Sequence, residues 1–254
     1  MNPPIRDWHG RRVWLVGASS GIGASLAGAL AGRGAELALT ARPTDRLERI
    51  AGETGGLALP GDVTVEGALN EVAAVLRERW GGVDHLVYLA AHYAPMRAFD
   101  MDLAAVRASV ETNLLGAYAA VAAGLPLLED RPNPSLVLVA SVAGYRGLPT
   151  ATAYGPTKAA LINLAETLYL DLAPRGIGVH LVNPGFVRTP LTDRNDFEMP
   201  ALIEPAEAAE AILDGLARGR FANAFPRRFT AWMRLLRHLP DRLYFPLVHK
   251  LTGL

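Results

Sequence analysis

One stretch constrains this chain more than any other. Val13-Trp14-Leu15-Val16 runs directly into Gly17-Ala18-Ser19-Ser20-Gly21-Ile22-Gly23, and an Ala/Leu-rich segment follows to Arg33. A short β-rich run, a glycine turn and a helical pattern in immediate succession define a strand–turn–helix unit. Glycine lets the backbone approach a ligand closely. The free N–H groups of the helix start and its dipole attract phosphate. Gly17, Ser19, Ser20, Gly21, Ile22 and Gly23 are therefore candidate contacts for a pyrophosphate.

The rest of the chain repeats this rhythm. Strands are expected at Val13–Val16, Glu36–Thr40, Leu57–Leu59, His85–Leu89, Ser135–Ala140 and Gly178–Val182. Helices are expected at Ser20–Arg33, near Arg46–Glu53, at Leu69–Trp80 (stopped by Gly81-Gly82), at Leu103–Leu127 and at Ala153–Leu172. Continuous apolar strands alternating with helices imply a parallel sheet covered on both faces, a doubly wound α/β fold of Rossmann type. Residues 185–205, with Pro190, Pro200 and Pro205, read as a long loop with at most a short helix. The expected organisation is one domain over 1–226 and a basic amphipathic extension over 227–254.

Composition narrows the function. Twenty-five basic residues balance 25 acidic ones, which gives no electrostatic case for nucleic-acid binding. The absence of cysteine excludes disulfides, thiolate zinc sites and thiol nucleophiles, and fits a reducing, cytoplasmic setting. No hydrophobic leader precedes Val13, and Arg11-Arg12 reads as a lead-in to a buried strand rather than an export signal. The apolar stretch Leu114–Leu128 is shorter than the ~20 residues of a membrane span.

Four side chains suggest chemistry. Tyr154 and Lys158 stand four apart on one helix face. An ammonium beside a phenol is expected to lower its pKa from about 10 and to make it a usable acid/base. Ser141 follows the fifth strand at the edge where open α/β sheets bind ligands, and its hydroxyl could polarise a carbonyl. Asn113 begins the apolar half of the preceding helix and needs polar partners if buried. At the end of the second strand, Ala41-Arg42 replaces the acidic residue that would hold a ribose 2′-OH. A guanidinium there suits a 2′-phosphate, so NADP(H) is favoured over NAD(H). Asp62 can accept from an adenine amino group or serve as a local cap.

With these residues in this order, the chain resembles the short-chain dehydrogenase/reductase family over about residues 10–220. The resemblance rests on Gly17, Gly21, Gly23, Asp62, Asn113, Ser141, Tyr154, Lys158 and Asn183-Pro184-Gly185. It implies a metal-independent oxidoreductase acting between a carbonyl and an alcohol, with Tyr154 as acid/base. It further implies that Lys158 binds the nicotinamide ribose and that Asn113 anchors a water in a proton relay. Val63 and Ala90 would flank the cofactor, while Pro184, Gly185, Val187 and Thr189 would hold its carboxamide. The family's Asn-Asn-Ala-Gly stretch is Tyr88-Leu89-Ala90-Ala91 here, removing a side chain that ties strands together.

The substrate pocket is expected along His92–Met96, Ala143–Thr150 and the loop after Gly185. Tyr93, Met96, Tyr145, Leu148, Phe186, Leu191 and Phe197 would make it apolar. The tail holds Arg227, Arg228, Arg234, Arg237, Arg242 and Lys250 against Asp241 alone, with apolar residues at helical spacing. Such a segment can lie on a membrane surface, cover the pocket or pack on a second subunit. Lipid anchors are not expected, since Asn2 stands where myristoylation needs glycine. A homo-oligomer, dimer or tetramer, is expected through the helices at 103–127 and 153–172. A catalytically idle NADP-binding scaffold is the alternative reading.

Overall fold

The computed structural model describes residues 2–253. Seven strands form one sheet: β1 Arg12–Val16, β2 Glu36–Thr40, β3 Leu57–Ala58, β4 His85–Tyr88, β5 Ser135–Val139, β6 Gly178–Pro184 and β7 Ala222–Phe225. Their order is β3-β2-β1-β4-β5-β6-β7, and every neighbouring pair is parallel. Strand order reverses between β1 and β4, so a crevice opens above their C-terminal ends.

Three helices cover one face: α1 Gly21–Ala31, α2 Asp45–Thr54 and α7 Pro205–Ala217. They bury Leu26, Leu30, Leu47 and Ile212 on Leu15, Leu39, Val137 and Val182. On the other face lie α3 Ala68–Trp80, α5 Gly116–Leu128 and α6 Tyr154–Leu172, whose Leu76, Leu127 and Leu161 pack on Leu86 and Leu138. Both faces of the central strands are dry, which is why they read as unbroken apolar runs rather than alternating ones.

Four elements differ from the sequence expectation. The single helix over 103–127 is instead α4 Leu103–Val110, a π-turn Glu111–Leu115 and α5. Periodicity cannot reveal one extra residue in a turn; the Thr112 carbonyl within it accepts from the Tyr88 hydroxyl. Strand β6 runs two residues further than expected, so Asn183 and Pro184 belong to it. Helix α7 and strand β7 were not foreseen. Helix α7 carries start signals: Pro205 occupies its first position, and the backbone N–H of Glu204 donates to the Glu207 carboxylate at 2.9 Å. Strand β7, Ala-Asn-Ala-Phe, has almost no intrinsic β preference and exists because it completes the edge beside β6.

The tail forms α8 Arg227–Arg237 and α9 Asp241–Thr252. These close a small core of Leu236, Tyr244 and Val248, with Met233, Leu239 and Leu247 against it. Arg146 binds the connection. Its guanidinium lies 3.8 Å from the centre of the Tyr244 ring and donates to the carbonyls of Arg237 and Leu239 and to Asp241. Tyr244 Oη donates to the Gly147 carbonyl at 2.7 Å. Among the described residues, no helix is long and apolar enough to cross a membrane.

Candidate active site

The crevice is a cleft of about 660 Å³, within the usual size range of ligand pockets. Its floor is the turn from β1 into α1. Gly17 has φ +97°, and a Cβ there would overlap the backbone of Ala90. A Cβ on Gly23 would fall on the carbonyl oxygen of Gly17. The turn therefore packs backbone against backbone, which only glycine permits. Ser20, the cap residue of α1, makes no side-chain cap hydrogen bond, so its hydroxyl does not take up the first N–H groups.

Every sequence-nominated cofactor residue lines this cleft: Gly17, Ser19, Ser20, Gly21, Ile22, Gly23, Arg42, Asp62, Val63, Ala90, Tyr154, Lys158, Pro184, Gly185, Val187 and Thr189. Arg42 is exposed, and no acidic side chain among the described residues lies within ion-pair distance of it. Asp62 Oδ1 accepts from the backbone and hydroxyl of Thr64, at 3.0 and 2.8 Å, so it shapes its own loop while facing the cleft. Thr192 Oγ1 donates to the Val187 carbonyl at 2.7 Å and accepts from Thr189 N–H at 2.9 Å, tying the loop after β6 into one turn.

Ser141, Tyr154 and Lys158 converge at the far end of the cleft. Ser141 sits just past β5, and its Oγ accepts from Ala143 N–H at 3.1 Å. Lys158 Nζ lies 5.5 Å from the Tyr154 ring centre and donates to the Val139 carbonyl at 3.0 Å. The expected lowering of the Tyr154 pKa is not what the structure holds. Burial pushes this phenol above its ordinary value and outweighs the opposing hydrogen bond from Ser141. Burial likewise lowers Lys158 to about 7. Lys158 is buried and Tyr154 is half-buried on the cleft wall, and loss of solvent penalises phenolate and ammonium alike.

Asn113 lies inside the π-turn and is fully buried; it does not line the cleft. Its Oδ1 accepts from His92 N–H at 2.6 Å, and its Nδ2 donates to the His92 carbonyl at 3.0 Å and to Thr157 Oγ1 at 2.9 Å. Both amide hydrogens are thus committed to protein groups that position the loop after β4 and the first turn of α6. Tyr88 replaces the tie that the altered Tyr88–Ala91 stretch was expected to lose. Its buried hydroxyl donates to the Thr112 carbonyl, and Gly116 leaves it room.

The expected substrate lining is corrected in part. His92, Tyr93 and Leu191 face the cleft, with Arg194, Thr192 and Glu111 beside them. Met96, Tyr145, Leu148, Phe186 and Phe197 do not line it. Phe186 packs between Phe197 and Phe229, each 5.7 Å away, and Met96 pairs with Ala151. Hydrophobic side chains in these loops cover one another rather than the cleft. Tyr93 stands edge-on to Tyr154 at 5.0 Å, and its hydroxyl donates to Asn195 Oδ1 at 2.6 Å. Arg194 Nη1 donates to the Tyr93 carbonyl at 2.8 Å. Arg194 and Asn195 escaped sequence reading. Their only signal was polar character inside a proline-bounded loop.

Comparison with known proteins agrees with this geometry. Residues 11–199 match the family model for short chain dehydrogenase. An oxidoreductase of Myxococcus xanthus is 35% identical over 92% of this chain and 94% of its own length. An 11-beta-hydroxysteroid dehydrogenase-like 4A protein of Arabidopsis thaliana is 34% identical over 90% of this chain and 79% of its own. A short-chain dehydrogenase from Sphingobium yanoikuyae, solved in complex with NADPH, superposes with a TM-score of 0.77 at 28% identity, covering 91% of this chain and 97% of that one. The chain belongs to the short-chain dehydrogenase/reductase family and is an NAD(P)-dependent oxidoreductase.

Proposed function

We propose that this enzyme reduces the carbonyl of an apolar substrate with NADPH, using Tyr154 as proton donor. The observation that carries the reading is the convergence of Ser141, Tyr154 and Lys158 on the cleft floored by the β1–α1 glycine turn.

The cleft suits a dinucleotide. The uncapped start of α1 and the backbone contacts of Gly17 and Gly23 would accept a pyrophosphate, Arg42 would take a 2′-phosphate, and Val187 and Thr189 would hold a carboxamide. A nicotinamide held there supplies the hydride that the carbonyl carbon receives. Ser141 donates a hydrogen bond to the carbonyl oxygen and polarises it. Tyr154, protonated across the neutral range because burial raises its pKa, gives its phenolic proton to that oxygen as the alcohol forms. Lys158, whose pKa burial lowers to about 7, stabilises in its ammonium form the phenolate left behind. Asn113 acts from outside the cleft as a positioning residue for His92 and for the first turn of α6.

The same reading takes residues 227–254 as an extension that contacts a membrane peripherally. It also takes the enzyme as a homo-oligomer assembled through α4, α5 and α6, whose Leu103, Tyr118 and Leu170 are exposed. Titration of the four tryptophans' fluorescence with NADPH and then NADH, followed by a screen of apolar ketones and aldehydes, tests the core of it. Tight NADPH binding with turnover is the expected result. NADH preference overturns the cofactor assignment. Binding of NADPH without turnover on any carbonyl makes the protein an idle scaffold.

A further inference from the structure

Charge is segregated along this chain. Of its 25 basic and 25 acidic residues, six basic and one acidic fall in 227–254, which leaves 19 and 24 for the rest. The neutral whole is therefore a body of net charge −5 carrying a tail of +5. The one tail acid, Asp241, is taken by Arg146 of the body. Arg227 pairs with Asp214, but Arg228, Arg234, Arg237, Arg242 and Lys250 have no acidic partner among the described residues.

The tail also has two apolar faces. The inner one, Phe229, Met233 and Leu236, packs on Phe186 and the small tail core. The outer one, Ala231, Trp232 and Leu235, follows Arg228 at intervals of three, four and seven residues. Trp232 is 48% and Leu235 57% exposed. Leu243 and Phe245 of α9 are also exposed, at 52% and 61%, but two residues apart they lie on different sides of that helix, Phe245 towards Arg146. A large indole with aliphatic neighbours, rimmed by unpaired arginines, suits the interface of an anionic bilayer. The hairpin is held beside the substrate end of the cleft. Phe229 abuts Gly185 so closely that a Cβ on that glycine would meet its ring at 2.8 Å, and Arg146 lies five residues past Ser141.

We propose that the outer face of α8 docks on an anionic lipid bilayer and turns the cleft mouth towards it, so that the carbonyl substrate reaches the site from the membrane. The negatively charged body is repelled by the same surface that attracts the tail, and this fixes the orientation as well as the contact. The docking deepens the reductase reading, which supplies the substrate, but the contact itself needs no turnover.

Co-sedimentation of the full chain with vesicles tests it. Phosphatidylcholine mixed with phosphatidylglycerol is compared with phosphatidylcholine alone, and NADPH titration reports separately on the fold and cleft. The expected result is binding to the anionic vesicles only, reversed by high salt. Arg228→Gln with Arg242→Gln should weaken it about 30-fold, and Trp232→Ser with Leu235→Ser should weaken it similarly, with NADPH binding unchanged. No anionic-vesicle binding at low salt overturns the proposal, as does equal binding to both vesicle types. So does a vesicle-independent dimer that Trp232→Ser/Leu235→Ser dissociates, since a second copy would then cover the face. Loss of ketone turnover with vesicle binding intact refutes the reductase reading alone.

Discussion

The two ends of the sheet withdraw titratable groups from water with opposite consequences. At the C-terminal ends of the strands, Lys158 is buried and Tyr154 half-buried, and both face a cleft. At the N-terminal ends, His85 and His180 are buried under the N-terminal arm. The His85 Nδ1 lies 2.8 Å from Ser135 Oγ, its ring stands edge-on to Trp8, and His180 Nδ1 donates to the Arg220 carbonyl. The Nε2 of each histidine has no partner among the described residues. Burial lowers His85 to about 3 and His180 to about 4, and lowers Lys158 to about 7. Desolvation is the same force throughout. Where a cleft gives access, it leaves a proton donor and a titrating lysine at working pH. Where the arm seals the site, it only makes acid costly.

Four experiments press on that contrast, from the largest effect down. Removing the phenolic proton with Tyr154→Phe should lower carbonyl turnover by about 10³–10⁴-fold while leaving NADPH affinity unchanged. Retained turnover would remove the cleft's claim to be different from the sealed end. Acid should act mainly at the sealed end. Both histidines have folded pKa values below the unfolded 6.5, so the unfolded chain binds more protons and stability falls as pH drops below 6.5. Of the difference between urea melts at pH 8 and pH 5, the two histidines should supply roughly 4 kcal/mol, about 2 each, with Lys158 adding in the same direction, and His180→Gln should remove about 2 kcal/mol of it. A pH-independent midpoint would show that these histidines are solvated.

Arg42→Ala should cost NADPH affinity about 1–3 kcal/mol and NADH affinity little, as read by paired titrations. Equal losses would mean that this guanidinium does not discriminate a 2′-phosphate. The smallest effect belongs to Tyr88→Phe, a change at the cleft end that is structural. It leaves the Thr112 carbonyl in the π-turn without its donor, at a cost of about 1 kcal/mol. Differential scanning calorimetry should show a Tm lower by about 2–4 °C. A large loss of turnover with no change in Tm would instead place Tyr88 in the chemistry.

Much of this molecule was legible from the chain alone. The strands from β1 to β6, the glycine turn and the Tyr154/Lys158 pair are local patterns, since apolar runs, positive-φ glycines and a four-residue helical spacing act between near neighbours. The residues nominated for a cofactor line the crevice that the doubly wound topology leaves at the strand ends, and Ala90, Val187 and Thr189 among them came from the family resemblance alone. What only the tertiary structure decided was long-range. Tyr88 reaches the π-turn at Thr112 from another element, and β7 forms because β6 offers it an edge. Phe186 and Phe197 turn away from the cleft because they and Phe229 pack on one another, and Tyr154 is raised rather than lowered because remote segments packed around it remove part of its solvent. Neighbours along the chain set the first group. The second depends on distances and dielectric surroundings that exist only once remote segments have packed together.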